Sequence, residues 1–269
     1  MAAGDLLLDV KDVSQKLGGS QILEGVTFQV KDRVRPDKVT GQIAGLLGPS
    51  GVGKTRLIRI VAGLDVPDAG SVTRGDGAPI AAGEVGVVFQ HYPLLKHRTI
   101  RSNLDVAASI GGTTGERATS RIDMLLERFG LAHRQNLYPM QLSGGQRQRA
   151  AIAQQIVCHK KLLLLDEPFS GLDPAALDEC IKLLVEVAHI DEETTLVIVT
   201  HDIKAAMKVS DALFMLGRDR DASGKVTSGA KVQKTYDLVE LGLAYREDVE
   251  FDPAFTALER EIKAEFKRL

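Results

Sequence analysis

The sequence predicts an α/β domain with a largely parallel sheet, an antiparallel addition near its start and a helical insertion in its middle. Three observations carry this prediction. Short apolar runs alternate with helical stretches along most of the chain, the pattern of strands and helices packed in layers. Several of those runs are continuously apolar rather than alternating, as in strands covered on both faces. Between about residues 91 and 158 no convincing strand occurs.

The elements follow in order. Strand-like runs at residues 6–10 and 26–30 flank a Gly18-Gly19 turn and are read as the antiparallel addition. The run at 43–47 leads into Gly48-Pro49-Ser50-Gly51-Val52-Gly53-Lys54-Thr55 and a helical stretch at 56–62. A further run at 85–89 ends at Gln90. Helices are expected at 100–108, 120–130 and 146–157, with a break at Gly111-Gly112-Thr113-Thr114-Gly115. Strands at 162–165, 196–200 and 212–215, with helices at 175–188 and 203–209, complete the core. Residues 217–229 are charged and glycine-punctuated, which suits a surface hairpin or loop. Asp252 can cap a last helix, and Pro253 suits its first turn. There Phe255, Leu258, Ile262 and Phe266 form an apolar stripe expected to pack back on the domain.

Composition narrows the function classes. A chain of 269 residues with 44% hydrophobic and 26% charged content is an ordinary globular domain with a full core. Its net charge of −2 argues against a nucleic-acid binder. Arg147 and Arg149, and the tail residues Lys263, Lys267 and Arg268, read as solvated helix faces. Cys158 and Cys180 lack disulfide or metal-site spacing and are read as thiols in a reducing compartment. The N-terminus shows no pattern of a secretory leader. No apolar run approaches the ~18–20 residues that span a bilayer, so any work at a membrane requires another subunit.

The segment from Gly48 to Thr55 fits GxxxxGK[ST] and follows an apolar strand, the context this phosphate-binding loop requires. Its glycines let successive amide N–H groups turn toward phosphate oxygens, and the helix start adds its positive dipole end. Lys54 can reach the β- and γ-phosphates, and the Thr55 hydroxyl can ligate Mg²⁺. The strand 162–165 ends in Asp166-Glu167, two carboxylates suited to hold a cation and accept a proton. Between loop and carboxylates lies Leu142-Ser143-Gly144-Gly145-Gln146.

This order of motifs resembles the ATP-binding cassette family over most of the chain, from about Leu8 to Met215. The resemblance implies a phosphate-loop NTPase core with an inserted helical subdomain over about 91–158. It divides the chain into one nucleotide-binding domain over 1–245 and a C-terminal amphipathic helix over 246–269. It implies ATP and Mg²⁺ as cofactors, with Asp166 holding the metal and Glu167 acting as general base. Gln90 then corresponds to the glutamine that reaches the metal and attacking water, and His201 to the histidine at the γ-phosphate. Ser170-Gly171-Leu172-Asp173 resembles the loop that crosses to a partner cassette.

Ser143, Gly144, Gly145 and Gln146 make a second anion-binding surface, redundant within one chain. The family resolves this by pairing two cassettes head to tail with ATP between them, so a second copy or a homologous cassette is expected. Leu17 stands where the family usually has an aromatic residue on adenine, and it covers a purine without π geometry. Gln154-Gln155 replaces a position where relatives often carry arginine, and the sequence gives no physical account of it.

The resemblance further implies transmembrane permease subunits, a solute-binding protein reached through the permease, and a peripheral place on the cytoplasmic face of the membrane. Import of a small solute is favoured by the segment from Gln90 to Ile100. The alternative is a soluble cassette ATPase outside transport, in translation or DNA maintenance. The short spacing from Lys54 to Ser143 leaves no room for the long coiled coil of DNA-maintenance members. No NKxD guanine motif is present, which disfavours a GTPase. Tyr92, Leu94 and Leu95 form an apolar cluster after Gln90, expected either to bury itself in the lobe or to receive the permease.

Overall fold

The computed structural model describes residues 6–32, 42–158, 160–190, 194–244, 246 and 248–269. The reading of the N-terminus falls on residues 1–5, outside the described residues. The chain folds around a nine-stranded sheet in the order β4-β1-β2-β9-β8-β3-β7-β6-β5. β3 (Gln42–Leu47), β5 (Gly86–Val88), β6 (Leu162–Asp166), β7 (Thr195–Thr200) and β8 (Ala212–Arg220) form its parallel block. β3 and β7 are buried at every position, as their uninterrupted apolar sequence requires.

The antiparallel addition is β1 (Leu6–Leu17), β2 (Ser20–Lys31) and β4 (Ala69–Arg74). Gly18 and Gly19 both take positive φ, 57° and 82°, the conformation of a tight two-residue hairpin turn. The hairpin therefore runs through residues 11–17 and 20–25, where the sequence reading had no strand. β4 was not anticipated at all. It is an exposed edge strand with two of its six positions half-buried, so it carries little apolar alternation to read. β9 (Val226–Asp237) pairs antiparallel with β8 around a turn at Asp221–Gly224. The surface hairpin expected there exists, with longer arms than its polar sequence announced.

Helices α1 (Lys54–Val61), α5 (Pro174–Ile190) and α6 (Ile203–Val209) cover the sheet. Between β5 and β6 lie α2 (Ile100–Ile110), α3 (Gly115–Arg128), two short 3-10 turns and α4 (Gly144–Val157). This helical lobe buries Leu104, Ile122, Leu125, Phe129 and Ile152 in one cluster continuous with Leu163, Leu165 and Ile198 of the sheet. The lobe and the parallel block therefore share a core. α7 (Pro253–Phe266) is capped by Asp252, whose carboxylate accepts from Ala254 N at 2.8 Å. Its stripe of Phe255, Leu258 and Ile262 is buried against Ile203, Ala206 and Met207 of α6. Each such side chain contributes about 1.5–3 kcal/mol by burial, as an upper estimate. No helix among the described residues is long and apolar enough to cross a membrane.

Tyr92, Leu94 and Leu95 part company. Leu94 is buried, Tyr92 packs against the lobe core and Leu95 faces solvent. Burial in the lobe thus holds for Leu94 and in part for Tyr92, and Leu95 stays outside it.

Candidate functional site

The candidate site is assembled where β3, β6 and β7 end side by side. β3 delivers the chain into Gly48–Gly53, where a Cβ on Gly48 would stand 2.8 Å from the Leu216 carbonyl. Gly51 and Gly53 take φ of 78° and 120°, which side-chain-bearing residues rarely adopt. Gly53 caps α1 with no side-chain acceptor, and no acidic residue occupies that first turn. The helix start is left with free donors and an uncompensated positive dipole end, suited to an anion. Pro49 and Val52 shape the loop through the Val52 N to Pro49 O bond of 3.3 Å, while Ser50 and Gly51 are exposed.

Lys54 is buried and turns back over this loop. Its ammonium donates to Gly48 O at 2.8 Å and Pro49 O at 3.1 Å, and meets Glu167 Oε1 at 3.2 Å. The ammonium is thus held where a phosphate would compete with Glu167 for it. Thr55 Oγ1 donates to Asp166 Oδ2 at 3.1 Å. The other oxygen, Asp166 Oδ1, is buried without a hydrogen-bond partner. Burial pushes the Asp166 carboxyl above its usual range, the Thr55 hydrogen bond opposes this, and the charge of Glu167 adds to it. A buried, unpartnered carboxylate oxygen beside a hydroxyl is an oxygen donor set that fits a hard divalent cation such as Mg²⁺.

Glu167 has φ of 51°, a left-handed conformation that costs a non-glycine residue about 1–3 kcal/mol and concentrates at functional sites. It is held there by Glu167 N donating to Val199 O at 2.8 Å and by Ser170 N donating to Glu167 O at 3.2 Å. Its Oε2 accepts from Thr200 Oγ1 at 3.1 Å and His201 N at 3.3 Å, and meets His201 Nδ1 at 2.9 Å. A carboxylate only accepts, so Nδ1 carries the proton and Nε2 is left for another partner. Burial works to raise the Glu167 carboxyl, but His201 and Lys54 together outweigh it and hold Glu167 below its ordinary value. Asp202 caps α6 through Ala205 N at 2.9 Å, fixing the turn that carries His201.

The structure therefore brings Lys54, Thr55, Asp166, Glu167 and His201 together as two adjacent sets, Thr55 with Asp166 and Lys54 with Glu167 and His201. Thr200 belongs to the second set and was missed by sequence reasoning. Its only signal was a polar residue closing an apolar strand. Gln90 lies apart from these residues, exposed, with Nε2 donating to Ser170 Oγ at 3.3 Å. Leu17 is half exposed at the end of β1, next to the Gly18-Gly19 hairpin turn. Asp173 caps α5, accepting from Ala176 N at 3.0 Å.

Ser143 and Gln146 form a capping box at the start of α4. Ser143 Oγ accepts from Gln146 N at 3.3 Å, and Gln146 Oε1 accepts from Ser143 N at 3.0 Å. Gly144 and Gly145 stand in open space, since a Cβ on either would meet nothing. Packing within this chain gives no reason for glycine there. Among the described residues, no hydrogen bond or ion pair links this helix start to the phosphate loop. A cleft of 680 Å³ opens at the opposite ends of the strands, between Gln42, Arg74, Glu84 and Lys160, and holds none of these motifs.

A phosphate loop, an acidic strand end beside it and a separate glycine-rich helix start define a nucleotide-binding cassette. The comparisons with known proteins agree: the family model of ABC transporters matches residues 32–170, and the chain belongs to that family. A sulfate/thiosulfate import ATP-binding protein CysA of Synechococcus elongatus is 36% identical over 234 residues, covering 86% of this chain and 64% of its own length. Its counterpart in Mycolicibacterium paratuberculosis is 38% identical, covering 81% of this chain and 59% of its own length. The chain thus spans under two thirds of these relatives. Among solved structures, cbiO1 of Clostridium perfringens, part of the ABC transporter complex cbiONQ, superposes with a TM-score of 0.72 at 28% identity, covering 88% of this chain and 91% of its own. The dimeric post-hydrolysis state of an ATP-binding cassette bound to ADP and Pi superposes with a TM-score of 0.69 at 26% identity, covering 86% of this chain and 99% of that one.

Proposed function

We propose that this chain binds ATP with Mg²⁺, hydrolyses it, and powers a membrane transporter as one of two cassettes joined head to tail. The observation that carries this reading is the cluster of Lys54, Thr55, Asp166, Glu167 and His201 around the phosphate loop. Loop amides from Gly48 to Thr55 and the Lys54 ammonium bind the phosphates, Lys54 leaving Glu167 as it does so. Thr55 and Asp166 would hold Mg²⁺, with Gln90 reaching it on closure, and the metal supplies charge neutralisation at the phosphates. Glu167, released at Oε1 and still held at Oε2, accepts the proton of the attacking water. His201 keeps that carboxylate oriented and offers Nε2 to the transferred phosphate. Leu17 covers the base.

Ser143, Gly144, Gly145, Gln146 and Asp173 serve the second cassette. Among the described residues a Cβ on Gly144 or Gly145 would meet nothing, and a solved relative is a dimer. Permease subunits would hold the protein at the cytoplasmic face of the membrane, with a solute-binding protein delivering cargo to them. Import is supported by the sulfate/thiosulfate import relatives, and a small anion is the cargo class they suggest. The test is phosphate release from ATP by the purified chain, with and without Mg²⁺, and then in membranes carrying co-expressed permease subunits. No Mg²⁺-dependent release would overturn the ATPase reading. Release indifferent to every permease with which the chain co-purifies would favour a soluble ATPase.

A further inference from the structure

Gln148 is a buried amide that the phosphate chemistry does not use. It sits in α4, five residues after Ser143, and is 2% exposed. At 1.5 Å per residue that places it roughly 4.5–6 Å along the helix from the exposed glycines Gly144 and Gly145. Its Nε2 donates to Pro168 O at 2.8 Å and to Cys180 Sγ of α5 at 3.3 Å. The Pro168 carbonyl can only accept, so the NH₂ end of the amide must face it. Pro168 directly follows Glu167, the residue held at φ 51°, and it has no N–H with which to anchor itself. One helix thus carries a glycine surface turned outward at its start and, further along, a clamp on the Pro168–Phe169 peptide, one residue beyond Glu167.

We propose that Gln148 is a positioning residue. It ties the glycine-bearing helix α4 to the backbone beside Glu167, so that seating α4 on a partner's nucleotide sets the base of its own chain. This rests on the reading of Glu167 as general base in a head-to-tail dimer. A carbonyl freed from Gln148 would let the strained Glu167 turn relax, displacing the carboxylate from its working position. Misplacement of this kind costs catalysis and not nucleotide affinity.

The experiment is steady-state ATP hydrolysis by the full chain carrying Gln148→Leu, with Cys180→Ala as a control that removes the longer thiol contact to Pro168 O, 3.7 Å, and leaves the Gln148 amide on that carbonyl. Gln148→Leu should lower kcat on the order of ten- to a hundredfold with KM for MgATP within about twofold, while Cys180→Ala keeps both near parent values. In a Glu167→Gln background, Gln148→Leu should still form the ATP-dependent dimer on size exclusion, which shows that it folds and presents its glycine surface. An unchanged kcat, an equal loss in Cys180→Ala, or loss of the ATP-dependent dimer would each overturn the positioning role. A parent protein that fails to hydrolyse ATP would instead remove the function on which the inference rests.

Discussion

Replacing Glu167 by glutamine separates the two jobs this side chain holds. In the structure Oε2 takes three donors from Thr200 and His201, while Oε1 faces Lys54 at 3.2 Å with side-chain exposures of 7% for Lys54 and 13% for Glu167. A carboxamide can keep its oxygen on the Thr200–His201 side, but its NH₂ then faces an ammonium. Breaking a buried pair can cost about 3–5 kcal/mol when the remaining charge is stranded. Lys54 is not stranded, because it keeps Gly48 O and Pro49 O at 2.8 and 3.1 Å. The cost should therefore drop to about 1–2 kcal/mol, a melting temperature lower by roughly 2–8 °C without nucleotide. Phosphate then gives Lys54 the anion it lost, so MgATP should stabilise Glu167→Gln more than the parent. Turnover should fall about 10²–10⁴-fold, as for loss of a general base, or roughly 2.7–5.4 kcal/mol on the barrier, and the ATP-bound dimer should persist. Phosphate release, size exclusion and thermal shift with and without MgATP check these outcomes together. Hydrolysis within tenfold of the parent would take Glu167 out of the chemistry. A melting temperature that nucleotide does not recover would refute the competition for Lys54.

Asp166→Asn should raise the melting temperature without nucleotide at neutral pH, since it removes a charge that burial and the neighbouring Glu167 carboxylate disfavour. The sign follows from the raised folded pKa. The penalty is complete above that value and absent below the ordinary 3.8, so the gain should vanish in acid. A lower melting temperature at neutral pH would refute the argument, and Mg²⁺-dependent hydrolysis should be lost in the same variant. With Leu17 half exposed and offering no aromatic face to a base, ATP and GTP should bind within about tenfold, stacking being worth about 0.5–1.5 kcal/mol. Leu17→Tyr should favour ATP by calorimetry, and a strong ATP preference in the parent would mean that another group holds the base. Leu95 is 36% exposed whereas Leu94 is 7% exposed, so Leu95→Glu should leave thermal stability and basal ATPase nearly unchanged while uncoupling transport in permease-bearing membranes. Unfolding of Leu95→Glu, or transport at the parent rate, would remove Leu95 from the docking surface.

The sequence by itself determined the parts of this protein in which chemistry or burial forces residue types into a fixed local order. The phosphate loop needs glycine at positive φ followed by Lys54 and Thr55. Strands β3, β6 and β7 are buried on both faces and so carry continuous apolar runs, and α7 shows its buried stripe at helical spacing. Such signals lie within a few residues of one another. Features that depend on distant neighbours were hidden. β4 is a strand because β1 offers it an edge, and β9 because β8 turns back on it, though neither carries strong apolar alternation. Thr200 and Gln148 read as ordinary polar residues until the sheet sets one against Glu167 and the lobe sets the other against Pro168. The left-handed turn at Glu167 and the pairing of Lys54 with it likewise follow from three strands ending side by side. Tertiary structure alone decided these points, because a hydrogen bond between residues far apart in the chain leaves no periodicity in either segment.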